Sequence, residues 1–193
     1  MTTAHDTLKT YVGDMHALVS HGLQAIDRQS SNLKDEGHQE ALQTVQELRA
    51  VLKTHLDLLD ARVKSLGGSA TKPIKDAISA VAGVAAGLIN AVRPEEAAKS
   101  LRDDYTFFSH CAVGYLMLYT TACSLSDNET AMLAERGYRD CARMAMTIDR
   151  IMPTLVVQEL RQDGLPVSEV RQKVQSMVKN AWMRESAPAG MTV

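Results

Sequence analysis

The chain has 193 residues and a net charge of −2, and hydrophobic and charged residues make up 45% and 23% of it. These values are ordinary for a globular protein, so they exclude a globally disordered chain. The near-neutral charge gives no sign of a nucleic-acid partner bound through bulk positive charge. Aromatic residues are scarce at 4% while methionine is abundant at 10 residues, which is typical of a core made by packed helices.

The three cysteines are Cys111, Cys123 and Cys141, an odd number without a closely spaced pair. This usage favours a reduced, cytoplasmic protein. The first residues have neither a basic region nor an apolar run, so we expect no signal peptide.

The first half of the chain predicts two long helices. Apolar residues repeat every three or four positions in residues 3–29, and the run Ser30, Ser31 and Asn32 is expected to end that helix. A second helix is predicted over residues 35–66, with Gly67 and Gly68 at its end. The two predicted apolar stripes are Leu8, Val12, Met15, Val19, Gly22 and Ile26, and then Leu48, Leu52, His55, Leu59, Val63 and Leu66.

A segment bounded by prolines follows the second helix, and residues 77–92 within it carry no charge. Small residues recur every four positions there, which favours close approach by another helix. Pro94 suits the first turn of the next helix, which we expect to reach about Ser124. The ridge of small residues is formed by Ser79, Gly83, Gly87 and Ala91.

The second half of the chain predicts a third and a fourth long helix and a short final one. Ser126 followed by Glu129 resembles a capping box for the fourth helix, and Pro153 is expected to kink or end it, with a short further piece to Arg161. Ser168 is expected to cap the last helix, which runs to about Arg184. The inner face predicted for the fourth helix is Gly137, Cys141, Ala145, Ile148 and Met152.

These elements predict an all-α protein, a ferritin-like four-helix bundle with a long helical crossover between helices 2 and 3 and a C-terminal accessory helix. The bundle is expected to occupy residues 1–165, with the crossover at 70–94. The amphipathic accessory helix is expected at 166–185 and a flexible tail at 186–193.

At this level of detail the chain resembles the bacterial ferritin-like family of the YciE/YciF type, small stress-associated bundles. The resemblance rests on residues 48–69 (LRAVLKTHLDLLDARVKSLGGS), on Leu101-Arg-Asp-Asp-Tyr105 and on residues 126–153, and it covers about residues 5–160. It implies a fold in which two metal ions lie between four helices. One Glu comes from each of two helices and Glu-x-x-His comes from the other two.

This sequence departs from that ligand pattern in every helix. His55 lies on the apolar stripe where the resemblance implies a ligand, but the residue three positions before it is Leu52 and not Glu. We therefore predict that the dinuclear site is lost and that no inward carboxylate remains. The other inward positions are read as Met15 and Val19, then Phe108, Cys111 and Ala112, then Cys141 and Met144, with Asp140 to one side.

Two interpretations of His55 stay open. It is either a core histidine that bonds a hydroxyl or a carbonyl, or a ligand for one metal ion such as iron, with His16, Asp140 or Cys141 as helpers. Cys111 and Cys141 both fall on inward stripes, where a buried cysteine usually behaves as a small hydrophobic residue. A soft metal site is the alternative for these thiols.

The third helix carries an anomaly, because residues 105–126 contain no Asp, Glu, Lys or Arg. A helix without charge on any face is expected to be covered all round, by residues 77–92, by a second copy of the chain or by both. A membrane is a third covering, although residues 77–92 are too short to span one. The interface residues named are Ser79, Gly83, Gly87, Ala91, Phe107, His110 and Gly114.

The function expected from these observations is that of a homo-oligomeric structural or stress-associated protein, without catalytic residues, without a cofactor and without a nucleic-acid partner. The first alternative is iron storage or oxidation at a non-standard site around His55, and ferroxidase chemistry is the only enzymatic class suggested. The second alternative is a module that binds a membrane surface through residues 77–92.

Overall fold

The computed structural model describes residues 3–32, 39–68 and 97–185, and within these ranges the chain is helical and has no strand. The five helices confirm the predicted all-α class. They are α1 (Ala4–Asn32), α2 (Gln39–Ser65), α3 (Ala97–Ser124), α4 (Asn128–Gln162) and α5 (Arg171–Glu185).

The four long helices surround one core, in which α1 contacts α2 and α3, and α4 contacts α2 and α3. Each of these neighbours is antiparallel. Lys9 near the start of α1 bonds the Gly67 carbonyl just after α2, for example, with 3.0 Å between Nζ and the oxygen. Because α1 and α4 each run opposite to both of their neighbours, α2 and α3 run in the same direction.

The predicted apolar stripes form this core. Every member of the α1 and α2 stripes is buried, His55 included, and the inner face of α4 is buried except for Met152, which is half-buried. The largest fully buried side chains include Tyr115 and Phe108 of α3. At about 25 cal/mol for each Å² of apolar surface removed from water, these stripes supply most of the driving force for folding.

Three glycines inside helices let α3 lie unusually close to its neighbours. The position of a Cβ on Gly22 would be 2.0 Å from the Phe107 ring, and on Gly137 it would be 2.4 Å from the Tyr115 ring. In the third contact the glycine belongs to α3: the position of a Cβ on Gly114 would be 2.6 Å from the Met15 sulfur of α1. Each large side chain therefore occupies the space that the missing Cβ leaves, which fixes how the helices align along their lengths.

Arg62 joins the end of α2 to the start of α4. Its buried guanidinium donates to Thr130 Oγ1 at 2.8 Å and pairs with the carboxylates of Asp127 and Glu129. The predicted capping box is corrected here, because Asp127 and not Ser126 is the N-cap: its carboxylate accepts from the Thr130 amide at 2.9 Å. Ser126 instead makes the turn with a φ of +58°.

The helix ends match the sequence prediction at the glycines and depart from it elsewhere. Gly67 and Gly164 have φ values of +67° and +75° and follow the ends of α2 and α4, and Gly67 is the helix end that the sequence predicts. Pro153, by contrast, does not end α4, which continues to Gln162. The buried Leu155 lies in that last stretch, and its packing on the core offsets the backbone bond that the proline removes.

Two further boundaries differ from the prediction. The α1 helix includes Ser30, Ser31 and Asn32, because the low helix propensity of these polar residues weakens a helix end without breaking it. The α5 helix begins at Arg171 rather than at the expected cap Ser168. The crossover at 70–94 with Pro94, the start of the second helix at 35–38 and the tail at 186–193 lie outside the described residues.

The described helices leave one side of α3 uncovered. Val113, Leu116 and Met117 are 56%, 47% and 53% exposed, and Thr120 beside them is also exposed. The coverings expected for this helix, residues 77–92 and a second copy of the chain, lie outside the described residues, so that expectation stays a prediction. We call these four residues the outer face of α3.

The contact between Gly22 and Phe107 provides a test of this packing. An alanine in an ordinary helix stabilises by about 1 kcal/mol relative to glycine. We expect Gly22→Ala instead to destabilise by roughly 1–3 kcal/mol, because the new methyl group overlaps the Phe107 ring. Urea unfolding measures the change. Phe107→Leu replaces the ring by a shorter side chain. The loss of unfolding free energy in the double variant should therefore be smaller than the sum of the losses in the two single variants, and an additive double variant would contradict the contact.

Candidate functional site

His55 is the centre of the candidate site. The apolar stripe of α2 carries it into the core, where the residue is 2% exposed. Its Nε2 lies 3.2 Å from Oδ2 of Asp140 on α4. The imidazole and the Tyr115 ring of α3 form a T-shaped pair, with 5.3 Å between ring centroids and an interplanar angle of 85°. Three helices therefore hold the imidazole in one orientation.

Asp140 lies between this imidazole and a cationic surface. Arg143 donates from Nη2 to Oδ1 at 2.8 Å, and the Nε of Arg136 is 3.7 Å from Oδ2. Outside these groups a groove of about 520 Å³ runs between α2 and α4, with Arg139 on its α4 side and Thr54 on its α2 side. The carboxylate thus accepts hydrogen bonds from the core on one side and from the surface on the other.

Cys111 and Cys141 are both fully buried on the facing sides of α3 and α4. The Cys111 thiol is the main cause that lowers the pKa of Cys141 to about 7, and the His55 imidazole lowers it further, against the opposing effect of burial. Burial raises the pKa of the Cys111 thiol well above its ordinary value. Burial likewise raises the pKa of the Tyr115 hydroxyl well above its ordinary value.

The structure thus brings together His55, Asp140 and Cys141, three of the four residues named in the metal hypothesis. The fourth, His16, lies elsewhere: its Nε2 is 3.7 Å from Oδ1 of Asp60 on α2. Among the residues that the structure describes, no group of three or more His, Cys, Asp or Glu side chains is arranged to hold a metal ion. The interpretation of His55 as a ligand stays a prediction.

Asp104 is a buried carboxyl group that the sequence analysis did not single out. It follows Asp103 near the start of α3, but it faces the core and is only 9% exposed. Burial raises its pKa to about 7, while the nearby Gln29 amide opposes the rise and Asp103 adds to it. Its Oδ2 has no hydrogen-bond partner within the described ranges. The prediction that no inward carboxylate remains is therefore wrong.

A signal for Asp104 was present in the sequence. It lies three residues after the buried Leu101 and four before the buried Phe108, which is the spacing of the inward stripe of α3. The pairing with the adjacent Asp103 hid this register, because two consecutive acidic residues near a helix start usually serve the helix dipole.

The interface residues of the sequence analysis divide into three groups. Phe107 and Gly114 lie in the contact between α3 and α1, while His110 is exposed on α3. The remaining members, Ser79, Gly83, Gly87 and Ala91, lie outside the described residues. Of the described helices, none is long and apolar enough to cross a membrane.

The comparison with family models gives a match over residues 3–161, to the domain of unknown function DUF892. The chain belongs to the DUF892 family. The match includes α1 to α4 apart from the last residue of α4, and thereby His55, Asp104, Asp140 and both buried cysteines, while α5 lies beyond it. Neither the curated proteins nor the solved structures contain a match to this chain.

The raised pKa of Asp104 predicts a pH dependence of stability. The folded state holds the proton up to about pH 7, whereas an unfolded aspartate releases it near 3.8. This group therefore stabilises the fold at low pH and loses that contribution as the pH rises from about 4 to 7, with a slope of up to about 1.4 kcal/mol per pH unit.

The variant Asp104→Asn removes this titration. We expect its free energy of unfolding, measured in urea between pH 4 and 8, to rise relative to the unmodified protein as the pH increases. The matched control is Asp57→Asn, at an exposed position of α2 that does not act on the pKa of Asp104. A constant difference between Asp104→Asn and the unmodified protein across this range would contradict the assignment.

Proposed function

We propose that this DUF892 protein is a ferritin-like four-helix bundle of the YciE/YciF type that has lost its dinuclear metal site. In this proposal it acts without catalysis, as a homo-oligomeric structural or stress-associated protein. The packing of α1 to α4 around one core supports the fold, and the resemblance in sequence supports the family type.

The observation that carries the proposal is the outer face of α3. Three exposed apolar side chains lie there at positions i, i+3 and i+4, and no charged residue occurs between Tyr105 and Ser126. Monomeric proteins seldom leave such a contiguous apolar patch in water, whereas interfaces between subunits use one. A second copy of the chain that presents the same face would bury both patches by two-fold symmetry.

The chemistry of the inner layer supports the non-enzymatic part of the proposal. A dinuclear oxygen-ligated site needs several carboxylates between the helices. Asp104 is the buried carboxyl group of the described helices, and the partly buried Asp140 lies beside the imidazole of His55. Asp140 is engaged by His55 and Arg143, and Asp104 interacts with the Gln29 amide.

A charge on the outer face of α3 tests the oligomer. We expect the unmodified protein to be a dimer or larger by sedimentation equilibrium, and Met117→Lys to shift it toward monomer because the interface would then bury an unpaired ammonium group. Met177→Lys is the matched control, since Met177 is equally exposed but lies on α5, outside the family match. A monomeric unmodified protein over the whole concentration range would refute the proposal.

Metal content tests the loss of the dinuclear site. Plasma mass spectrometry of untagged protein, before and after iron loading, should find no stoichiometric metal, and iron should oxidise at the protein-free rate. We expect His55→Ala to leave the metal content unchanged and to lower stability by roughly 2–4 kcal/mol, as large-to-small core changes do. His16→Ala is the control. One or two tightly held metals per chain that are lost in His55→Ala would favour the metal-binding alternative.

A further inference from the structure

The two buried cysteines lie at the same level of the contact between α3 and α4. The Tyr115 ring covers Gly137, and this contact fixes which residues of the antiparallel helices face each other. Cys111 is one turn before Tyr115, and Cys141 is one turn after Gly137. The same register therefore brings the two thiols together, and their mutual interaction agrees with this placement.

The closeness of the helices matters for what this pair of thiols can do. A disulfide needs a short distance between the two backbones, and side chains of ordinary size at a helix contact keep the helices apart. Here glycine replaces such a side chain one turn from the cysteines, so α3 and α4 approach closely where the thiols meet. Cys123, the third cysteine, is exposed and lies three turns away on α3.

His55 gives one of these thiols a proton acceptor. In the neutral imidazole, donation from Nε2 to the Asp140 carboxylate leaves the lone pair on Nδ1. Nδ1 is buried and makes no hydrogen bond within the described chain, while the imidazole interacts with the Cys141 thiol. Asp140 positions the imidazole through Nε2, as the third member of a cysteine–histidine–carboxylate arrangement.

We propose that Cys111 and Cys141 are a redox-active dithiol that hydrogen peroxide oxidises to an intramolecular disulfide. This activity is separate from the oligomerisation proposed above and does not require it. Cys141 is the attacking thiol, His55 accepts its proton, Asp140 is a positioning residue, and Cys111 is the resolving thiol.

The reaction balances in two steps. The Cys141 thiolate attacks one peroxide oxygen, a sulfur–oxygen bond forms and the oxygen–oxygen bond breaks; the departing hydroxide takes the proton held by His55 and leaves as water. Cys111 then attacks the sulfenic sulfur, a sulfur–sulfur bond forms and the sulfur–oxygen bond breaks; the second hydroxide leaves as water with the Cys111 proton. Two thiols lose two electrons in total, and one peroxide is reduced to two waters. A dithiol reductant reverses the disulfide.

The decisive experiment uses full-length Cys123→Ser protein, which removes the exposed thiol. The folded protein is treated with hydrogen peroxide, free thiols are then alkylated in denaturant, and a non-reducing tryptic digest is read by mass spectrometry. We expect peptide 140–143 to be joined to peptide 103–136, an intact monomer lighter by two hydrogen atoms, and full reversal by dithiothreitol. Recovery of both cysteines as alkylated thiols, or a crosslink found only between chains, would overturn the proposal.

Two variants in the same background separate the roles, after circular dichroism has shown that they are helical. Cys111→Ser should accumulate sulfenic acid on Cys141 and form no crosslink. His55→Gln should slow crosslinking at pH 7 by about tenfold or more and lose most of that defect by pH 9, where the thiol ionises without help. The dithiol would be refuted if Cys141 is oxidised at the same rate and to the same product whether Cys111 is present or replaced by serine.

Discussion

The structure depends on how closely α3 lies against its two neighbours. Glycine on one helix faces a large side chain on the other at three places, two in the contact of α3 with α1 and one in its contact with α4. Each contact limits the separation of the helices and prevents sliding, since a shift of one residue would place a side chain where the ring lies. The layer that contains His55 follows from this constraint. The Tyr115 ring rests on Gly137 and also forms the T-shaped pair with the His55 imidazole.

Polar groups are distributed in two ways around this frame. At one end of the described bundle, the buried Arg62 contacts Asp127, Glu129 and Thr130, and the two carboxylates compensate its charge. These contacts hold α2 to the turn between α3 and α4. Deeper in the core, burial raises the pKa of the Asp104 carboxyl to about 7, and the Cys111 thiol and the His55 imidazole lower that of the Cys141 thiol to about 7. The described interior is therefore apolar in its bulk and holds two groups that titrate near neutral pH.

Much of the fold could be predicted from the sequence, because hydrophobic periodicity reports burial directly. The stripe of α2 is buried throughout, including the histidine, and Gly67 ends its helix as expected. Helix boundaries that depend on contacts with distant residues were harder to predict. Asp127 replaces Ser126 as the cap because its second carboxylate oxygen is held by Arg62, more than sixty residues away in the chain. Pro153 is tolerated because packing around it outweighs the lost backbone bond.

The site was harder to predict than the fold for a related reason. Periodicity identified His55 and both inward cysteines, but their mutual placement depends on the register between helices, which the glycine contacts set and a single helix does not reveal. Asp104 was missed although its spacing matches the inward stripe of α3, because two acidic residues near a helix start usually interact with the helix dipole. The outer face of α3 differs from Asp104, because its lack of charge was evident from the sequence, and the structure adds which of its side chains the described helices leave exposed.

The protonated Asp104 has a consequence for the energetics of the whole molecule. At neutral pH an unfolded aspartate is ionised, whereas in the folded protein the same carboxyl holds a proton for part of the time. At this residue folding therefore takes up part of a proton, and unfolding returns it to the solution. The heat of unfolding measured in a calorimeter includes the heat with which the buffer accepts that proton, so its value depends on the buffer's own enthalpy of ionisation.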